Sequence, residues 1–141
     1  MNQKQYTKPV PATQPESDFY WEKARQHQLW LRKCNGCQKA YFYPRDICPV
    51  CFSRDTTWIQ ASGRGTLHTF AIVHRAPTPA FKGDVPYVAA FVDLDEGPRM
   101  ATNLVGIEPD PSKIKVGMKV EVVFEDINDK IALPKFKPAQ S

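Results

Sequence analysis

Four cysteines, Cys34, Cys37, Cys48 and Cys51, form two Cys-x2-Cys pairs separated by a ten-residue spacer. Each x2 spacing lets one tight turn aim two sulfurs at the same ion, and two such turns complete a tetrahedral thiolate shell. Zinc accepts that shell without strain from its d-electrons, and an iron ion can occupy the same cage. The pattern predicts one structural zinc per chain, with no position left open for water or substrate and hence no metal-based catalysis. A disulfide reading competes, but it needs an oxidising compartment, and Met1-Asn2-Gln3-Lys4-Gln5 leads into no apolar run of a signal peptide. The spacer is shorter than the ~15 to 20 residues of the generic four-cysteine template. That fits a compact ribbon of two hairpins with Tyr41, Phe42 and Tyr43 as its small core.

Other catalytic constellations fail to assemble. With all four cysteines committed to metal, no thiol nucleophile is left. His68 and His74 are an even number of positions apart and could share a strand face, and His27 belongs to a helical stretch. None is tied to a Ser or Cys nucleophile. Asp93, Asp95 and Glu96 crowd a turn, while Glu121 and Glu125 read as the solvent face of a strand. Gly63-Arg64-Gly65 is too short for a phosphate-binding loop and marks strand entry or a bulge. The sequence offers no independent active site.

The elements that must position the cysteines are legible around them. The first dozen residues, rich in Gln, Pro and Lys, read as a flexible or docked tail. Thr13-Gln14-Pro15-Glu16 has the form of a capping box, and Tyr20, Ala24, His27 and Leu31 recur on one face, predicting a helix from Pro15 to about His27. Phe19, Tyr20, Trp21 and Trp30 supply more aromatic surface than one short helix can bury against itself, so the segment docks on the rest of the chain or on a partner. After Trp58 the pattern changes to strands. Thr66 to His74, Tyr87 to Leu94, Arg99 to Gly106 and Lys119 to Phe124 are rich in β-branched and aromatic residues or alternate in polarity. Asp95-Glu96-Gly97-Pro98 turns a hairpin, and Ile131-Ala132-Leu133 opens a short last strand that Pro134 would confine to an edge. Five short strands predict a small antiparallel barrel of the oligonucleotide/oligosaccharide-binding (OB) type. The expected fold is mainly β. It has a tail and N-terminal helix over residues 1–30, a rubredoxin-like four-cysteine zinc ribbon over 31–57, and a five-stranded OB-fold barrel over 58–141.

The chain of 141 residues has 42% hydrophobic and 24% charged residues, ordinary for a globular protein. No apolar run approaches the ~20 residues of a membrane span, so the expected compartment is the cytoplasm, with no membrane partner. The formal net charge of +4 counts the cysteines as neutral thiols. Four thiolates and one zinc ion lower it to about +2, little general attraction for a polyanion.

The order of helix, ribbon and barrel is carried by Phe19-Tyr20-Trp21, Leu29 to Lys33, Tyr43-Pro44-Arg45 and Cys48-Pro49-Val50-Cys51. It continues through Gly63-Arg64-Gly65-Thr66-Leu67, Pro86-Tyr87, Asp93 to Arg99, Val116 to Val120 and Leu133-Pro134-Lys135-Phe136. In these features the chain resembles, over nearly its whole length, the zinc-ribbon OB-fold proteins associated with acyl-CoA metabolism. The resemblance implies a non-catalytic subunit of a thiolase-like acyltransferase, helping to bind or channel a CoA thioester. Other members of that family accompany acyl-CoA hydratases or aldolases. A CoA tail needs cations for its phosphates and an aromatic shelf for adenine, and Arg75, Phe81 and Lys82 in one loop and Lys135, Phe136 and Lys137 near the C-terminus offer both. Phe19, Tyr20, Trp21 and Trp30 are then the candidate partner interface. A single-stranded nucleic-acid binder is the alternative class, disfavoured by the low working charge and the acidic barrel turn.

Overall fold

In the computed structural model, which describes residue 6 and residues 8–139, the chain is mainly β with one short α-helix. Met1 to Gln5, Thr7, Gln140 and Ser141 lie outside the described residues, and with them most of the expected tail. The helix α1 runs over Asp18–Arg25, shorter than the sequence predicts. The capping box does not form: Glu16 turns away to accept from the Asp46 amide at 3.1 Å and to pair with Arg45. Ser17 becomes the N-cap residue, its hydroxyl exchanging 3.2 Å hydrogen bonds with Gln14. His27 ends the helical turn in a left-handed conformation and stacks on Phe124, while Leu31 belongs to a strand.

Strands β1 (Trp30–Cys34), β2 (Ala40–Tyr41) and β3 (Thr56–Gln60) form an antiparallel sheet in the order β2-β1-β3. Its last strand extends past residue 57, where the barrel was expected to begin shortly afterwards. Tyr41 packs with Cys34 and Cys48, but Phe42 and Tyr43 do not join that small core. They face α1, against Tyr20 at 5.9 and 5.6 Å between ring centroids.

The closed barrel consists of β4 (Arg64–Val73), β5 (Tyr87–Leu94), β6 (Arg99–Leu104), β7 (Lys119–Asp126) and β8 (Ala132–Pro138) in the order β4-β5-β6-β8-β7. This is the five-stranded OB architecture. A bulge between Leu67 and Thr69 shifts the β4–β5 register, so Leu67 points inward before it and Phe70 and Ile72 after it. That change of parity puts His68 on the outer surface and removes the face it was expected to share with His74. β8 is longer than expected and closes the barrel, pairing with β7 from Ala132 to Pro138 and touching β6 in parallel at Leu104–Phe136. With one bridge on the β6 flank, that side stays nearly as open as an edge and tolerates Pro134.

One apolar cluster joins the three parts. Tyr20, Trp21 and Ala24 of α1 and Leu31 of β1 continue into Leu67, Val92, Met100, Val120 and Phe136 of the barrel. The ribbon is thereby seated on the barrel and the helix on both. No described helix is long and apolar enough to cross a membrane.

Candidate functional site

The two cysteine knuckles repeat one backbone pattern. The Cys34 amide donates to the Lys39 carbonyl and the Cys48 amide to the Ser53 carbonyl, each at 2.9 Å. The residue after each second cysteine, Gln38 and Phe52, takes a left-handed conformation, with φ of 64° and 63°. These turns bring all four Sγ atoms within 4.8 Å of one another. Cys34 and Cys51 are 3.5 Å apart and Cys37 and Cys48 3.7 Å apart, sulfur to sulfur. A disulfide requires about 2.05 Å, so the cysteines are free thiols. A tetrahedral ion with metal–sulfur bonds of ~2.3 Å has edges of about 3.8 Å, and the spacing found here fits it.

Backbone amides tune the sulfurs unequally. The Cys37 amide lowers the Cys34 pKa, and the amides of Cys51 and Val50 pull Cys48 down to about 6 against the effect of burial. At Cys51 the Ser53 amide pulls downward, but the Cys34 sulfur, burial and the other two thiols push it up to about 11. The cluster therefore ionises stepwise when no cation balances it. A bound ion supplies that charge, cross-links the two knuckles and leaves no coordination position for substrate.

The residues expected to meet CoA are only partly brought together. A cleft of about 590 Å³ lies at one end of the barrel, and of those residues Phe81 and Lys135 line it, together with Tyr87, Leu104 and Leu133. Phe81 ends a 3₁₀ turn over Pro79–Phe81 and faces the Tyr87 ring at 6.0 Å. Arg75 and Lys82 are exposed on the same loop but outside the cleft lining. Phe136 is 0% exposed, so its place in an adenine shelf is corrected: strand alternation sends it into the core and turns Lys135 and Lys137 outward. Both lysines are occupied, Lys135 by Glu125 and Lys137 by Glu121. Sequence reasoning missed Lys8, which crosses the cleft to pair with Asp84 and stands 5.8 Å from the Phe81 ring. A lone lysine in a proline-rich tail carries no signal of that role.

The expected interface aromatics are likewise divided. Tyr20 and Trp21 are buried, and the Trp21 indole donates to the Tyr43 hydroxyl at 2.8 Å, so these two anchor the helix to its own chain. Phe19 and Trp30 are half-buried and pack together, with Phe19 also 4.6 Å from Trp58. Much of the apparent aromatic surplus is absorbed by Trp58 on β3 and by Phe42 in the bend just after β2. His68 lies 3.3 Å from Asp93, which also accepts from Arg99 at 2.6 Å, an exposed cluster with no thiol beside it.

Residues 21–57 match the rubredoxin-like zinc ribbon domain of ChsH2, and residues 58–125 match its C-terminal OB-fold domain. A DUF35 domain-containing scaffold protein of Methanocaldococcus jannaschii is 38% identical over 117 residues, covering 77% of this chain and 80% of the relative. The chain belongs to the DUF35 family. A solved structure titled Ltp2-ChsH2(DUF35) aldolase superposes with a TM-score of 0.78 at 37% identity, covering 92% of this chain and 98% of that one. A probable enoyl-CoA hydratase alpha subunit of Thermomonospora curvata is 39% identical over 94% of this DUF35 chain, which spans only 40% of that relative. The matched ribbon supports zinc as the occupant of the four-cysteine cage.

Proposed function

We propose that this chain is a non-catalytic subunit of an enzyme acting on CoA thioesters, held in shape by structural zinc and assisting in binding or channelling the thioester. The observation that carries the proposal is the likeness of almost the whole chain to the DUF35 chain of an aldolase complex. Its own chemistry agrees: four thiols are gathered for one metal, and the Ser112 hydroxyl that donates to Asp110 at 2.8 Å lies in an exposed turn. The resemblance seen in the sequence favours a thiolase-type acyltransferase as catalytic partner. The hydratase and aldolase named among the relatives favour those partners as a second reading. Free thiols arranged for a metal suit a reducing compartment, and a cytoplasmic location is part of the proposal.

Nucleic-acid binding is the weaker alternative. The exposed barrel surface around Thr69, Ala71, Phe91 and Ala101 carries no cation, and Arg99 at its end is engaged by Asp93, so a phosphate backbone finds little to bind there. Affinity purification from the source cell tests the proposal. An acyl-CoA enzyme subunit should co-elute in fixed stoichiometry, and its class distinguishes thiolase from hydratase or aldolase. Absence of any such subunit, or nanomolar binding of a single-stranded oligonucleotide, overturns the proposal.

A further inference from the structure

The second knuckle carries apolar surface that neither the ribbon nor the barrel uses. Within six residues Ile47 is 39%, Val50 53% and Phe52 75% exposed, and Pro49 is exposed between them. Phe52 is the most telling. It holds a left-handed backbone, φ 63°, at the position where the chain leaves the metal loop, its amide donating to the Cys48 carbonyl at 2.9 Å. Glycine suits that conformation without a steric cost, whereas a residue with a Cβ is strained there. An aromatic side chain at a strained position, with its ring in solvent, is explained neither by the backbone nor by core packing. The loop below is pinned by two cysteines of the cage, so the patch is fixed in place before any partner arrives, which lowers the ordering cost of binding.

Charge decides what can cover it. A groove of about 420 Å³ beside Phe52 is lined by Ile47 and Pro49 and by Glu16, Asp46, Arg45 and Arg54. Glu16 is already paired with Arg45 and Asp46 with Arg32, while Arg54 has no ion pair among the described residues. A second copy of the same tip would bring its own Arg54 toward this one. A polyanion would approach a metal centre whose four thiolates outweigh a divalent ion. A protein surface with an apolar socket edged by a carboxylate meets neither obstacle and satisfies Arg54.

We infer that Ile47, Pro49, Val50 and Phe52 form the docking tip by which this chain grips its catalytic partner, and that the partner presents such a socket with a carboxylate opposite Arg54. The inference rests on the accessory-subunit reading. Its test uses the full chain and the enzyme subunit that co-elutes with it, purified separately, with affinity measured by titration calorimetry. Phe52→Gly should weaken binding by at least about tenfold, the range of an interface anchor. Its melting temperature and zinc content should hold or rise, because the backbone strain is relieved. Arg54→Glu should weaken binding most at low salt. Equal binding by wild type and Phe52→Gly overturns the inference and leaves the accessory reading standing, whereas a wild type that binds no enzyme subunit removes both. A fall in melting temperature with Phe52→Gly means the ring supports the ribbon and overturns the docking role. Gel-filtration dimers of wild type lost in that variant make a second copy the occupant, which also overturns it.

Discussion

At Cys48 and Cys51, two thiols three positions apart, the surroundings set opposite preferences: backbone amides pull one pKa down to about 6, while neighbouring thiols and burial push the other up to about 11. Zinc needs both as thiolates, so loading at neutral pH must expel at least the Cys51 proton, and affinity must fall as pH is lowered through the range in which the thiols regain protons. Calorimetry of zinc binding in two buffers of different ionisation enthalpy should show that release, and constant affinity between pH 8 and pH 5 would contradict it. Cys48→Ser removes one ligand and should abolish the stoichiometry of about one ion per chain, with loss of ribbon structure by circular dichroism. This part of the site was fully legible, because ligand type and spacing state the chemistry without the fold. Phe136 was not, because a Lys-Phe-Lys run reads equally as a ligand shelf or as a strand with one inward face. Burial decides for the second, and Phe136→Ala should cost about 3 to 5 kcal/mol in denaturant unfolding. Lys135→Ala removes only a partly exposed ion pair with Glu125 and should cost no more than about 1 kcal/mol.

Strand β4 shows how an element hides its own register. Its β-branched and aromatic residues announced a strand, yet no residue type in Leu67-His68-Thr69 announces the bulge that reverses its parity. The bulge lets both halves of the strand face the core, Leu67 before it and Phe70 and Ile72 after it. At the start of the same strand the glycines are informative. Gly63 has φ 81°, and a Cβ at Gly65 would lie 2.6 Å from the Asp93 carbonyl oxygen and 2.6 Å from a Val92 methyl. Gly65 therefore sits where β5 leaves no room for a side chain on β4. Gly65→Ala should lower stability by about 1 to 3 kcal/mol through overpacking, read as a lower melting temperature with zinc content unchanged. If the melting temperature holds, the two strands can separate there at no cost. The helix was legible in position but not in length. Its expected cap depended on Glu16 reaching back toward Thr13, and the long-range competitor Arg45, with the Asp46 amide, won.

Across the whole molecule, helix, ribbon and barrel share one apolar cluster, so the metal site stiffens a body already tied to the barrel. Order of elements and fold class could be read from periodicity and cysteine spacing. The seating of one part on another could not, since contacts such as Tyr20 with Phe42 join residues far apart in sequence whose meeting no local pattern encodes. The same holds for the cleft, where Lys8, near the N-terminus, meets Asp84 and Phe81 from the middle of the chain.

That cleft also divides the expected work of CoA binding. Its own cations, Lys8 and Lys135, are neutralised by Asp84 and Glu125, so they are poor partners for phosphate. Arg75 and Lys82 are exposed on the loop that carries Phe81, and neither has an ion pair among the described residues. On the accessory-subunit reading these two take the phosphates, while the apolar cleft takes an uncharged portion of the thioester. Charge reversal at both, Arg75→Glu with Lys82→Glu, changes no buried group and should leave folding and assembly with the catalytic partner intact. It removes contacts made equally in the ground and transition states, so it should raise KM for the CoA ester about tenfold while kcat stays the same. The difference from wild type should shrink as salt is added, because exposed charges are screened. A fall in kcat would mean that the loop touches the reacting centre. Unchanged KM in an intact complex would mean that the thioester's phosphates are held entirely by the partner.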